Sequence, residues 1–183
     1  MLFAHGLDYK AALTDYVKLS GRIAMMDFEA YGVWYSKYYK PGATEKAYRQ
    51  VIAKYKQLEL PLNVLVMDVG WHMEENHPER RDCKGYGGYT WNRTLFKNPK
   101  AYTKYLHDEE HMRLLVNTHD YTGVDSCQDF YPAMAKQLGV DPATHAILPC
   151  AWSNKSWVNA VYTQALDARQ SGNVSSIDWL CTT

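Results

Sequence analysis

The strongest chemical signal in the sequence is a largely apolar run, residues 60–67, that ends abruptly in polar and aromatic side chains. Asp68, Trp71 and His72 follow this run within five positions. A segment that only fills a core has little reason to place a carboxylate, an indole and an imidazole at one end. A strand that delivers side chains into a ligand pocket does have a reason, and we interpret the segment in that way.

A second group of polar residues follows another apolar run. Asn117 lies near the end of the run at residues 113–118, and His119 and Asp120 follow it directly. If the two runs are parallel strands, both groups lie at the carboxyl edge of the sheet, where ligands bind in parallel α/β folds. The 15 Tyr and 6 Trp raise the aromatic content to 14%. Their flat apolar faces and polar groups suit sugar rings, although composition alone favours an aromatic-rich core.

The elements that would position these groups alternate between helix and strand. Helical patterns cover residues 9–19, 44–59 with Thr44 as N-cap, 99–111, 125–138 with Asp125 as N-cap, and a segment opened by Ser153 or Asn154. Strand patterns cover residues 28–35, 62–69, 113–118 and 174–180. This order predicts βαβ units and a parallel sheet. No glycine-rich phosphate motif follows a strand, so half of an eight-stranded βα barrel fits better than a Rossmann fold.

Length and charge narrow the class of protein. The 183 residues, 46% of them apolar, fit a globular domain. Twenty basic and twenty acidic residues cancel without any basic run, so neither nucleic acid nor an anionic membrane is an expected partner. No apolar run approaches the roughly 18 residues of a membrane span. The N-terminal residues lack a signal-peptide pattern, and the compartment stays open.

The cysteines predict neither a zinc site nor a disulfide framework. They form no CxxC pair and lie far apart, at Cys83, Cys127, Cys150 and Cys181. We therefore expect isolated thiols. Three Asn-x-Ser/Thr sequons, at Asn92, Asn154 and Asn173, leave N-glycosylation open.

A pair of histidines offers an alternative chemistry. His107 and His111, in the sequence HDEEH, are four residues apart as in the HExxH helix of zinc hydrolases. However, Asp108 occupies the position next to His107 where the general base belongs, and no third ligand is evident. A solvated helix face is the favoured interpretation, and a zinc hydrolase is the alternative.

Several segments, in order along the chain, carry a resemblance to a known family. They are FAHGLDYKAALTDYVKLSGR (residues 3–22), YGVWYSKYY (31–39, with Gly32, Ser36, Lys37 and Tyr38 matching the motif), LPLNVLVMDVGWH (60–72), YTWNRTLFKNP (89–99), YLHDEEHMRLLVNTH (105–119) and IDW (177–179). Together they resemble glycoside hydrolase family 31, which contains α-glucosidases and α-xylosidases. The first segment resembles the lead-in to that family's catalytic barrel, and the others resemble its strands and the segments between them.

The resemblance implies a fold and an activity. Residues 1–22 would be a lead-in from a preceding domain, and residues 23–183 would form the N-terminal half of a (β/α)8 TIM barrel with parallel strands. The implied activity is hydrolysis of an α-linked oligosaccharide or glycoside with retention, without metal or organic cofactor. One carboxylate attacks the anomeric carbon, and a second, about 5 Å away, acts first as acid and then as base.

The resemblance also assigns roles to individual residues. Those expected to line the sugar pocket are Asp68, Trp71, His72, Asn117 and His119. Asp68 would accept hydrogen bonds from hydroxyls of the nonreducing sugar, and charge-assisted bonds of this kind are strong. Asp178 would be the catalytic nucleophile.

Three features depart from the family pattern. Gly70 stands where a second acidic residue is common, and Ser175 and Ser176 precede Asp178 where bulky apolar residues are usual. The family's acid/base carboxylate comes further downstream, so we expect the remainder of the barrel as a partner and little hydrolysis by the isolated chain. A non-catalytic sugar-binding or truncated remnant is the alternative.

Overall fold

The structure is a computed structural model that describes residues 4–37, 43–73, 83–85, 87–166 and 179–182. The chain divides into two compact units, Met1–Tyr31 and Gly32–Thr183. In the first unit, helix α1 (Tyr9–Ser20) begins after Asp8, whose carboxylate accepts the N–H of Ala11. This confirms the predicted helix over residues 9–19.

The second unit contains one parallel sheet. Its strands are β1 (Trp34–Lys37), β2 (Val64–Met67), β3 (Arg113–Thr118) and β4 (Trp179–Thr182), and they lie in the order in which they occur in the chain. Helix α2 (Glu45–Gln57) connects β1 to β2, and helix α3 (Pro99–Asp108) connects β2 to β3. Helices α4 (Tyr131–Gln137) and α5 (Lys155–Val161) follow β3. The predicted partial βα barrel with parallel strands is confirmed.

The two faces of the sheet differ in burial. One face packs on α2 and α3 through buried side chains, among them Leu65, Met67, Leu114 and Val116 from the strands and Tyr48, Ile52, Tyr102 and Leu106 from the helices. The other face, which we call the interior face, carries the alternate residues of the same strands. Its members Val66, Asp68, Leu115 and Asn117 are half-buried. The alternation of side chains along a strand therefore separates the packed core from the candidate site.

The boundaries of the first strand and of helix α3 differ from those predicted. Residues Phe28–Tyr31 form a 3₁₀ turn, in which the carbonyl of Asp27 accepts the N–H of Ala30, so the predicted strand over residues 28–35 is wrong at its beginning. Helix α3 starts with Pro99 as predicted but ends at Asp108.

The predicted N-cap of the fourth helix is also wrong. Helix α4 begins at Tyr131 rather than after Asp125. The Asp125 carboxylate instead accepts the N–H groups of Lys84 and Ser126, so it is engaged in joining two loops. By contrast, Thr44 caps α2 and Asn154 caps α5, as predicted. The strand predicted over residues 174–180 overlaps β4, but residues 174–178 lie outside those that the structure describes.

The expectation of four isolated thiols is wrong for two of the cysteines. Cys83 and Cys127 form a disulfide, with their Cα atoms 5.1 Å apart although 44 positions separate them in sequence. The loops after β2 and β3 both lie at the carboxyl edge of the sheet, and this brings the two residues together. Cys150 is a free cysteine. Among the described helices, none combines the length and the apolar character that a membrane crossing requires.

Candidate functional site

The two adjacent strand ends bring Asp68 and Asn117 into contact. Because Met67 pairs with Val116 in the parallel register, the next residues of β2 and β3 are also neighbours. The Asn117 side chain donates a hydrogen bond from Nδ2 to Oδ1 of Asp68, over 3.0 Å. Asn117 Oδ1 is buried and has no hydrogen-bond partner among the described residues. A carboxylate and an amide oxygen thus lie side by side on the interior face as hydrogen-bond acceptors.

The buried side chain of Trp71 packs behind this pair and is hydrogen-bonded to it. Its indole Nε1 donates to the backbone carbonyl of Asn117 over 2.8 Å, and only 1% of the residue is exposed. Its ring meets that of Trp91 edge to face, with centroids 5.0 Å apart. The indole therefore holds the end of β3 in position, and its face is covered by protein.

His72 is fully buried beside Trp71. Its Nδ1 lies 3.0 Å from the carbonyl oxygen of Met73, and a carbonyl can only accept, so Nδ1 carries the proton. Burial, with a smaller contribution from nearby His119, lowers the pKa of His72 to about 4, against the opposing effect of that hydrogen bond. The imidazole is neutral at pH 7, and its Nε2 is an acceptor with no partner in the described part of the chain.

The end of β3 adds His119 and a buried carboxyl group. His119 is half-buried, and its ring lies edge-on to that of Tyr121, with centroids 6.5 Å apart. The carboxyl group of Asp120 is buried and accepts a 2.7 Å hydrogen bond from the hydroxyl of Tyr89. Burial raises the pKa of Asp120. Sequence reasoning noted Asp120 at the strand end but assigned it no role, and it missed Tyr89 because that residue lies in a loop without periodicity.

Two loops are tied together above these strand ends. Gln128 accepts the N–H groups of Tyr89 and Thr90 at its Oε1, over 3.0 Å each, and donates from Nε2 to the carbonyl of Met73 over 3.1 Å. A Cβ atom at Gly88 would lie 2.6 Å from Gln128 Nε2 and 2.9 Å from the Met73 carbonyl oxygen, so a larger residue at position 88 would have to displace both partners of that bond. The neighbouring residue Cys127 forms the disulfide to Cys83. We call Gln128, its three bonds and this disulfide the rim clamp.

The remaining predicted functional residues have different outcomes. Asp178 lies outside the described residues, directly before β4, whose Cys181 pairs with Asn117. His111 lies beyond the end of α3 in a left-handed backbone conformation, with φ of 54°, so the two histidines do not form a helical i,i+4 pair. Within the described ranges, no cluster of three or more His, Cys, Asp or Glu side chains could hold a metal ion.

Comparisons with known proteins agree with this architecture. The model of the TIM-barrel domain of glycosyl hydrolases family 31 matches residues 23–179. A family 31 α-xylosidase from Xanthomonas citri is 21% identical, with a TM-score of 0.52, over 70% of this chain and 12% of that one. A family 31 α-xylosidase from a soil metagenome, complexed with xylose, is 19% identical, with a TM-score of 0.56, over 85% of this chain and 22% of that one.

At these identities the two structures show a shared fold, and this chain spans less than a quarter of either one. No curated protein is significantly similar in sequence. The match of the family model, by contrast, extends over most of the chain, from ahead of β1 to the first residue of β4. The chain therefore belongs to glycosyl hydrolases family 31, and residues 23–179 correspond to the family's TIM-barrel domain.

Proposed function

We propose that this chain provides the sugar-binding half of a retaining α-glycosidase barrel. The observation that carries the proposal is the contact between Asp68 and Asn117 on the interior face, at the carboxyl ends of two neighbouring parallel strands. This is the edge at which βα barrels carry their active sites.

The paired acceptors suit a sugar ring. Asp68 accepts hydrogen bonds from two hydroxyls of the nonreducing sugar, and the amide of Asn117 fixes one carboxylate oxygen so that the group has one orientation. The unpartnered Oδ1 of Asn117 accepts from a further hydroxyl. A site with several acceptors discriminates against a sugar that lacks a hydroxyl, because a buried acceptor would then lose its partner.

The chemical step uses two carboxyl groups. We assign the nucleophile to Asp178, on the resemblance of its IDW segment to the family's nucleophile strand. Its carboxylate attacks the anomeric carbon, the bond to the leaving oxygen breaks, and a second carboxyl group gives that oxygen a proton. Water then hydrolyses the glycosyl-enzyme. We assign the second carboxyl group to the remainder of the barrel.

Both solved structures compared above are α-xylosidases, so xylose is a candidate for the bound sugar beside glucose. Both can be tested with 5-fluoro-α-glycosyl fluorides, whose fluoride leaves without help from an acid. We expect the purified chain, incubated with the matching probe, to gain the mass of one fluoro-sugar. Peptide mapping should locate the adduct at Asp178. An adduct on another carboxylate would disprove that assignment.

Two variants and a control make the trapping experiment specific. Asp178→Ala should abolish the adduct, and Asp68→Ala should slow its formation because the sugar loses its anchor. Asp108→Asn is the matched control, since this exposed carboxylate ends α3 at the opposite, amino edge of the sheet. It should leave trapping unchanged. If a folded chain forms no adduct with either sugar, the alternative of a non-catalytic remnant is favoured. Because we assign the general acid, which typically contributes 10²–10⁴-fold, to the remainder of the barrel, we expect the 183-residue chain to turn over ordinary glycosides slowly at most.

A further inference from the structure

The three sequons of the chain differ in their structural environment. Asn154, in Asn154-Lys155-Ser156, is exposed at the start of α5. Asn92, in Asn92-Arg93-Thr94, is only 6% exposed. Asn173 lies outside the described residues. We propose that Asn154 is an N-glycosylation site of this protein, and that the folded chain carries no glycan at Asn92.

The side chain of Asn154 can carry a glycan without losing its structural role. Its Oδ1 accepts the N–H groups of Ser156 and Trp157, over 2.9 and 3.4 Å, and thereby caps α5. An N-linked glycan attaches to the other atom of the amide, Nδ2, and leaves Oδ1 in place. The cap and the glycan therefore use different atoms of one exposed side chain.

Asn92 presents the opposite situation. Its Oδ1 also accepts backbone N–H groups, from Thr94 and Leu95, and its own N–H donates to the carbonyl of Trp71 over 2.7 Å. The residue is buried next to Trp91, which is in the aromatic core. A bulky hydrophilic glycan on Nδ2 has no route to solvent there. A chain modified at Asn92 could not reach this fold.

The disulfide supplies an independent reason to expect the modification. Disulfides form and persist in oxidising compartments such as the secretory pathway, and they are rare where thiols are kept reduced. That pathway also contains the transferase and its lipid-linked oligosaccharide pyrophosphate. In the transfer, Nδ2 of Asn154 loses a proton to a basic group of the transferase and bonds to the anomeric carbon of the donor. The bond from that carbon to the pyrophosphate oxygen breaks, and the lipid pyrophosphate leaves.

The test uses the full chain behind a cleavable secretion leader, translated in the presence of translocation-competent microsomes. Asn173→Gln is introduced in every version to remove the third sequon. We expect membrane-protected chains to show one glycan at Asn154, which an endoglycosidase removes. Ser156→Ala should abolish it. This variant eliminates the sequon but keeps the cap, because the backbone N–H of residue 156 is the donor.

The readout at Asn154 does not depend on folding, since occupancy is measured on all membrane-protected chains. An unoccupied Asn154 in those chains would overturn the proposal, and so would a glycan that survives Ser156→Ala. Occupancy at Asn92 is measured by peptide mapping of the fraction that contains the Cys83–Cys127 disulfide. A glycan on Asn92 in that fraction would also overturn it.

Discussion

Two regions of the molecule meet at the carboxyl edge of the sheet, and they hold polar groups by different means. Strands β2 and β3 present Asp68 and Asn117 through backbone register, with a broad apolar face packed behind them on α2 and α3. The rim clamp holds the loops above them through one disulfide and one glutamine. The strand region distributes its stabilisation over many contacts, whereas the rim clamp concentrates it in a few bonds.

The largest effect should come from removing the covalent part of the rim clamp. The disulfide closes a segment of 44 residues, and the chain-entropy model gives about 4 kcal/mol for a loop of that length. We expect the double variant Cys83→Ala/Cys127→Ala to lose about this free energy of unfolding in a urea titration. Reduction of the wild-type chain should have a similar effect.

The free thiol of Cys150 provides the matched control. Cys150→Ala removes one half-buried sulfur without opening a covalent loop, so its cost should be small in comparison. Equal losses for the double variant and for Cys150→Ala would show that the disulfide does not stabilise the rim, and the contrast between the two regions would fail.

The strand region is tested by two leucines that are consecutive on β3. Leu114 is fully buried against the helices, whereas Leu115 is half-buried on the interior face. Leu114→Ala should lose roughly 3 kcal/mol, within the ~2–5 kcal/mol typical of a buried leucine, and Leu115→Ala should lose clearly less. Urea titrations of both variants measure the difference. Equal losses would mean that the two faces of the sheet are equally packed.

The difference between the regions explains what the sequence could reveal. The continuous apolar runs of β2 and β3 and the capping residues Thr44 and Asn154 are local signals, and they predicted the strands, the helix starts and the strand-end position of Asp68 correctly. The rim clamp has no such signal. Gln128 bonds to residues 38 and 39 positions away, and such pairings depend on how the loops fold back over the sheet.

The predicted N-cap at Asp125 failed for a related reason. Aspartate is favoured both at helix starts and in loops, because its carboxylate accepts backbone N–H groups in either setting. The sequence shows the acceptor but not which N–H will reach it. In the structure, the donor from Lys84 comes from the other loop, 41 positions away.

His72 lies where the two regions join, and its burial predicts a pH dependence. Its pKa is about 4 in the folded chain and near 6.5 when unfolded, so the unfolded state binds the extra proton between these values. The contribution of the neutral, buried imidazole to the free energy of unfolding is therefore fully present above pH 6.5 and is lost as the pH falls towards 4. We expect this residue to account for about 2 kcal/mol of lost unfolding free energy between pH 7 and pH 5.

The variant His72→Asn separates this effect from other titrations. Its amide can still donate to the Met73 carbonyl but does not titrate, so the loss between pH 7 and pH 5 should shrink by about 2 kcal/mol. His145→Asn, at an exposed left-handed position that asparagine tolerates, should leave the loss unchanged. An identical pH dependence in wild type and His72→Asn would show that His72 is not buried as a neutral group.

The smallest expected effect separates the glutamine from the disulfide within the rim clamp. Gln128→Ala leaves the N–H groups of Tyr89 and Thr90 without their partner, whereas the carbonyl of Met73 keeps its contact with Nδ1 of His72. Because truncation leaves a polar cavity that can hold water, we expect a loss of about 1 kcal/mol, at the lower end of the range for one unsatisfied group. Hydrogen exchange at the amides of Tyr89 and Thr90 should accelerate.

Gln137→Ala, at an exposed glutamine that also makes two side-chain bonds, should stay within about 0.5 kcal/mol of wild type. If Gln128→Ala were as mild and both amides stayed protected, the disulfide and the other bonds between the loops, such as that of Lys84 with Asp125, would hold the rim. The glutamine would then fill space without contributing to the clamp.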